Sequence, residues 1–155
     1  MIRVLVVDDH ELIRDVVSAT LRASGHIDVV GACGDGRLAI QEFEALLPDV
    51  VLMDLSMPTM GGVDATRELR RIDPEARVVI LTSARVSREL DDAFAVGALA
   101  CVFKDDDPAD LISAVLSAAG TAVFDSSTLT PRSPFPTVVP APRGRWRSNL
   151  RQPHE

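Results

Sequence analysis

The chain has 155 residues, 46% of them hydrophobic, and a formal net charge of −7 at pH 7. That is enough chain for one domain with a real core, and no apolar run approaches the ~20 residues that cross a bilayer. A strand starts almost at once, at Ile2, so no signal peptide is expected. Cys33 and Cys101 each sit in an apolar run, which predicts buried free thiols and a cytoplasmic location. Two cysteines, and three histidines without ligand spacing near them, exclude a zinc cluster. The charge is uneven. From Pro131 onward five arginines face the single acid Glu155, so residues 1–130 hold −11. Such a body disfavours non-specific nucleic-acid binding and suits a site that gathers cations.

In chain order, Ile2–Val7 reads as a strand buried on both faces and closed by Asp8-Asp9-His10. A helix is predicted over Glu11–Ala23, with Leu12, Val16, Ala19 and Leu21 as its apolar spacing. Asp28–Cys33 is a second strand, and Asp35 can cap the helix Arg37–Leu47, which carries Leu38, Ile40, Phe43 and Leu46. The run Val50-Val51-Leu52-Met53 ends in Asp54, then a loop closes on Gly61-Gly62 before the helix Val63–Arg71. Ala76–Leu81 is a fourth strand finished by Thr82-Ser83, and Ser87 can cap Arg88–Val96. Ala98–Phe103 is the fifth, closed by Lys104. Pro108 then opens a helix over Ala109–Ala119, where its missing amide hydrogen costs nothing.

Five βα units predict an α/β doubly wound parallel sheet, flavodoxin-like, with strand order 2-1-3-4-5 and helices on both faces. Residues 121–130 read as a linker. The segment 131–155 holds six of the ten prolines and is expected to be a disordered Pro/Arg-rich tail.

Ligands in such sheets bind at the carboxyl ends of the strands. There stand Asp8, Asp9, Asp54, Thr82 and Lys104, the one lysine of the chain. Singly each has an ordinary role, as helix cap, turn former or surface charge. Together they all fall at one end of the sheet. Three carboxylates in one cleft repel one another unless a hard cation joins them, and oxygen ligands of this kind fit Mg²⁺. Asp54 then has an oxygen free to attack phosphorus, while Lys104 and the Thr82 hydroxyl face the transferred group.

Val4-Leu5-Val6-Val7-Asp8-Asp9-His10, Asp54-Leu55-Ser56-Met57-Pro58-Thr59-Met60-Gly61-Gly62, Leu81-Thr82-Ser83-Ala84 and Phe103-Lys104-Asp105 resemble, in order, the motifs of the receiver domain of bacterial two-component response regulators. The resemblance covers residues 2 to about 120 and implies a CheY-like fold for a domain over 1–120. It implies that Asp54 is the phosphoacceptor of a sensor histidine kinase, that Asp8, Asp9, Asp54 and the carbonyl of Ser56 hold Mg²⁺, and that Thr82 and Lys104 contact the phosphoryl group. Turnover is then limited to self-phosphorylation and autodephosphorylation at Asp54. A homodimer is a further implied partner.

Asp-Asp-His-Glu at the first strand end and Leu129-Thr130-Pro131-Arg132 look like NarL/LuxR-type regulators, in which the second motif opens a DNA-binding domain. Ser133 onward continues neither the motif nor a helical period, so a truncated or frame-shifted regulator without an output domain is expected. Cys101 stands where the family has an aromatic switch partner to Thr82, which leaves a non-switching interaction module as the alternative. A haloacid-dehalogenase-like phosphatase would need an aspartate two residues beyond Asp54, where Ser56 stands.

Overall fold

A computed structural model describes residues 1–120 and 139–140. The elements alternate as β1 (Ile2–Val7), α1 (Glu11–Ala23), β2 (Ile27–Cys33), α2 (Gly36–Leu46), β3 (Val50–Asp54), α3 (Gly62–Ile72), β4 (Val78–Thr82), α4 (Arg88–Ala95), β5 (Ala100–Phe103) and α5 (Pro108–Ala118). The five strands are parallel in the order β2-β1-β3-β4-β5, as the alternation of elements predicts. Chain ends of the predicted elements move by one or two residues. Thr82 belongs to β4, and β5 begins at Ala100, two residues later than expected.

Strand side chains alternate between two cores. Leu5, Val7, Val51, Met53, Val78, Ile80 and Cys101 pack with the helices α2, α3 and α4. Val4, Val6, Val50, Leu52, Val79, Leu81 and Val102 pack with α1 and α5. This two-sided burial is why the strands read as unbroken apolar runs. Asp35 and Ser87 cap α2 and α4 through their side chains, accepting from the amides of Leu38 and Leu90. Asp107 caps α5 with Pro108 at the helix start.

Two helical faces depart from expectation. In α1 the inward stripe is Ile13, Val17 and Leu21, an i, i+4, i+8 row, whereas Leu12 and Val16 face solvent. In α2 Ala39 and Phe43 are buried and Leu38 is exposed. In both helices several apolar rows were available, and the sheet selects the row that meets it.

A sixth strand, β6 (Val139–Pro140), lies antiparallel on the free edge of β5, with Pro140 opposite Ala100 and Val139 opposite Cys101. These two residues fall within the segment expected to be a disordered tail. An edge strand offers unpaired amides and carbonyls, and an outermost position tolerates a proline that cannot donate. The other residues assigned to the linker and tail lie outside the described residues.

Leu52 is fully buried in the middle of β3. Leu52→Ala is expected to cost ~2–5 kcal/mol, read from denaturant midpoints. A loss well below that would show the sheet collapsing around the gap.

Candidate functional site

The register brings the polar strand ends together. β1 and β4 flank β3, and β5 lies beyond β4, so the exits of β1, β3, β4 and β5 open on one cleft. Asp8 is wholly buried, its amide fixed by the carbonyl of Cys33 and its carbonyl by Arg14 Nη1 at 2.7 Å. Asp8 Oδ1 accepts from the His10 amide at 2.9 Å. Asp54 ends β3 with 4% exposure.

Lys104 joins the two carboxylates. Its Nζ lies 2.7 Å from Asp8 Oδ2 and 3.4 Å from Asp54 Oδ1. The approach to Asp8 Oδ2 is off the angle of a directed hydrogen bond, so this buried oxygen is held mainly by charge. Burial alone would weaken the lysine's hold on its proton, but the close contact with Asp8 and the charge of Asp54 outweigh it and raise that affinity. Burial, then the neighbouring Asp8, pushes the Asp54 carboxyl up to about 6, although Lys104 pulls the other way.

Asp8, Asp9, His10 and Asp54 each offer one ligand atom within 4.8 Å of the others. Three of these are carboxylate oxygens, the donors a hard divalent cation takes. The charge crowding that raises Asp54 is what such a cation relieves, so the donor set fits one. His10 was not anticipated as a member. Its Nδ1 lies 3.0 Å from Asp9 Oδ1 and 3.2 Å from Asp8 Oδ1, and its position directly after the acidic pair was the available signal.

Thr82 is buried, and its Oγ1 accepts from the Ala84 amide at 3.3 Å. Its carbonyl accepts from the Lys104 amide, which ties the two strand ends together. Ser56 lies exposed at the start of the loop after β3. Cys101 stands apart from the cleft, buried in the core toward α4 with its thiol pushed up to about 12 by burial. Arg14 and Arg85 are polar neighbours of the site that the sequence did not single out. Nothing in the periodicity distinguishes them from other arginines.

Gly62 has a steric role. A Cβ there would lie 2.1 Å from the Asp54 carbonyl oxygen, so α3 reaches the strand end only because the side chain is absent. Gly62→Ala is expected to lose ~3 kcal/mol or more and to weaken cation binding with it. Wild-type values for both would show that the loop yields freely.

The Asp54 value also sets a pH dependence. A carboxyl raised above its unfolded value adds stability that is full below about pH 4 and is lost as pH rises through about 6. In chelator, Asp54→Asn is expected to exceed wild type by ~1–3 kcal/mol near neutrality, the gap closing toward about pH 4. A gap that does not change with pH would show that Asp54 is not the strained charge.

Residues 4–116 match the response regulator receiver domain family. The chain is 38% identical over 129 residues to the response regulator protein VraR of Staphylococcus epidermidis, covering 83% of this chain and 62% of that one. It is 35% identical over 126 residues to the transcriptional regulatory protein MctR of Rhizobium johnstonii, covering 81% and 59%. It thus spans about three-fifths of the length of these relatives. Among solved structures, a LuxR-family two-component response regulator from an Aurantimonas species superposes with a TM-score of 0.73 at 34% identity, covering 76% of this chain and 84% of that one. The response regulator domain of Thermotoga maritima CheB gives 0.72 at 27%, covering 77% and 97%. With the cleft, the sheet order and these matches in agreement, the chain belongs to the response regulator receiver domain family, as a CheY-like receiver of the NarL/LuxR type.

Proposed function

We propose that Asp54 accepts a phosphoryl group from a sensor histidine kinase and that this event switches a surface of the domain. The observation that carries the reading is the Asp8–Lys104–Asp54 triplet. It places one half-buried cation within 3.4 Å of two buried carboxylates at the exit of the central strand. An Asp54 oxygen attacks phosphorus in line, the O–P bond forms, and the bond to the donor's leaving group breaks. Lys104 then turns from holding Asp54 to compensating the charge of the transferred oxygens. Thr82, at the end of the adjoining strand, supplies a hydroxyl to the same group.

Asp8, Asp9 and Asp54, with the carbonyl of Ser56, would hold Mg²⁺, which when bound neutralises charge on the phosphoryl oxygens. Arg14 keeps the Asp8 end of that set in place through its bond to the Asp8 carbonyl. Asp54 must be ionised to attack. Near neutral pH the carboxyl is already mostly deprotonated, and cation binding carries it further in that direction. A cytoplasmic receiver of this kind has the kinase as its partner and a second copy of itself as a further one. No helix of the described residues is long and apolar enough to cross a membrane.

Cys101 favours a second reading, an interaction module that does not switch, because a small buried thiol has no ring to swing. Intact mass after incubation with Mg²⁺ and a small phosphodonor separates the two. Wild type is expected to gain one phosphoryl group, lost with chelator and absent in Asp54→Asn, and Lys104→Ala is expected to slow the gain by on the order of 10²-fold. A gain that persists in Asp54→Asn would move the acceptor elsewhere.

A further inference from the structure

Arg85 lies three residues beyond Thr82, in the loop between β4 and α4. Its Nη2 donates to Asp105 Oδ1 at 3.0 Å and to Asp106 Oδ1 at 3.2 Å. Its guanidinium also stacks over the Phe103 ring, 4.5 Å from the centroid. The three contacts flank Lys104 on both sides in sequence. We propose that Arg85 is a positioning residue of the switch, latching the loop that follows Thr82 to the turn that carries Lys104 in the unphosphorylated domain, and releasing when the phosphoryl group arrives. The proposal rests on the phosphoacceptor reading above.

The latch differs from an ordinary surface ion pair. Exposed pairs contribute little, and Asp105, 72% exposed, is one of these. The Asp106 side chain is only 2% exposed. Its second oxygen accepts from the Phe103 amide at 3.0 Å, so the carboxylate is rigidly placed in the turn. A buried carboxylate of this kind depends on its cationic partner. Both bonds come from Nη2, which leaves the rest of the guanidinium plane to lie on the Phe103 ring, a contact that the compact ammonium of lysine does not reproduce.

Phosphoryl uptake acts on both ends of this latch. The new oxygens attract the Thr82 hydroxyl from one side and the Lys104 ammonium from the other. Thr82 is bonded to Ala84 through its Oγ1, so its displacement moves the segment immediately before Arg85. The β4–β5 pairing and the backbone bond from the Lys104 amide to the Thr82 carbonyl hold the strand end, and the Arg85 side chain adds resistance in the loop itself. With Cys101 unable to relay the change by rotating a ring, the loop itself carries it.

Contacts made only in the unphosphorylated arrangement oppose binding of the phosphoryl group, and removing them tightens it by the same factor. The test titrates the 155-residue chain with beryllofluoride in saturating Mg²⁺, following the Ala84 and Val86 amide resonances, for wild type, Arg85→Ala and Arg85→Lys. Arg85→Ala is expected to bind about 5-fold or more tightly than wild type, with Arg85→Lys in between. Mg²⁺ affinity without beryllofluoride stays unchanged, because the metal ligands are untouched. Equal or weaker beryllofluoride binding in Arg85→Ala would overturn the latch and leave Asp54 as acceptor. A tighter Mg²⁺ site in that variant would overturn it too, by placing the effect in the metal ligands. Wild type that takes up no beryllofluoride would overturn the phosphoacceptor reading itself, and the latch with it.

Discussion

Lys104 Nζ stands 2.7 Å from Asp8 Oδ2 and 3.4 Å from Asp54 Oδ1, and much of the domain's arrangement answers to the charge balance this creates. Two buried carboxylates share one ammonium, with Asp9 and His10 close by. Asp8 and Asp54 together keep one negative charge more than the lysine neutralises, Asp9 adds another, and Asp54 carries the strain in its raised proton affinity. A structure built only for stability would replace such a group with apolar side chains. On the proposed reading, the uncompensated charge is what a divalent cation binds, and the cation with Lys104 then offsets the charge of the phosphoryl oxygens.

Holding that cluster requires backbone placement on every side. The parallel register fixes β1 and β3 side by side, so Asp8 and Asp54 leave neighbouring strands. The link from the Lys104 amide to the Thr82 carbonyl does the same for β4 and β5. Gly62 lets α3 start against the Asp54 carbonyl, and the Gly36 amide donates to the Met60 carbonyl, which anchors the loop of β3 to α2. Thr59 in that loop has φ of 69°, a left-handed conformation that a threonine adopts only when its surroundings impose it. The loop is therefore set by its ends, and the site inherits its rigidity from the sheet.

These constraints explain what was legible in the sequence. The strands were, because burial on both faces leaves no polar alternation to interpret. So was the gathering of Asp8, Asp9, Asp54 and Lys104 in one cleft, because strand ends in a parallel sheet converge by topology alone. The inward face of α1 was not, since Leu12 and Val16 compete with Ile13 and Val17 and only the docked sheet decides between them. Arg14 and Arg85 were equally hidden. Their partners are a carbonyl six residues away and carboxylates about twenty residues away, and a guanidinium reaches such groups by loop geometry that no local pattern encodes. The pairing of Val139–Pro140 with β5 depends in the same way on which edge the fold leaves open.

The β5 edge bears on how a signal would leave the site. Cys101 is buried at the middle of that strand, with backbone on both flanks, β4 on one side and β6 on the other. A buried thiol is too small for a change of rotamer to alter a surface. What can move is the stretch between β4 and α4, which carries Ser83 to Ser87, where Val86 is 95% exposed and Arg85 crosses to the neighbouring turn. On the proposed reading, the conformational change is therefore confined to backbone that joins two strand ends. Its amplitude is set by the hold of Arg85 on Asp106 and on the Phe103 ring, and no ring has to rotate to transmit it.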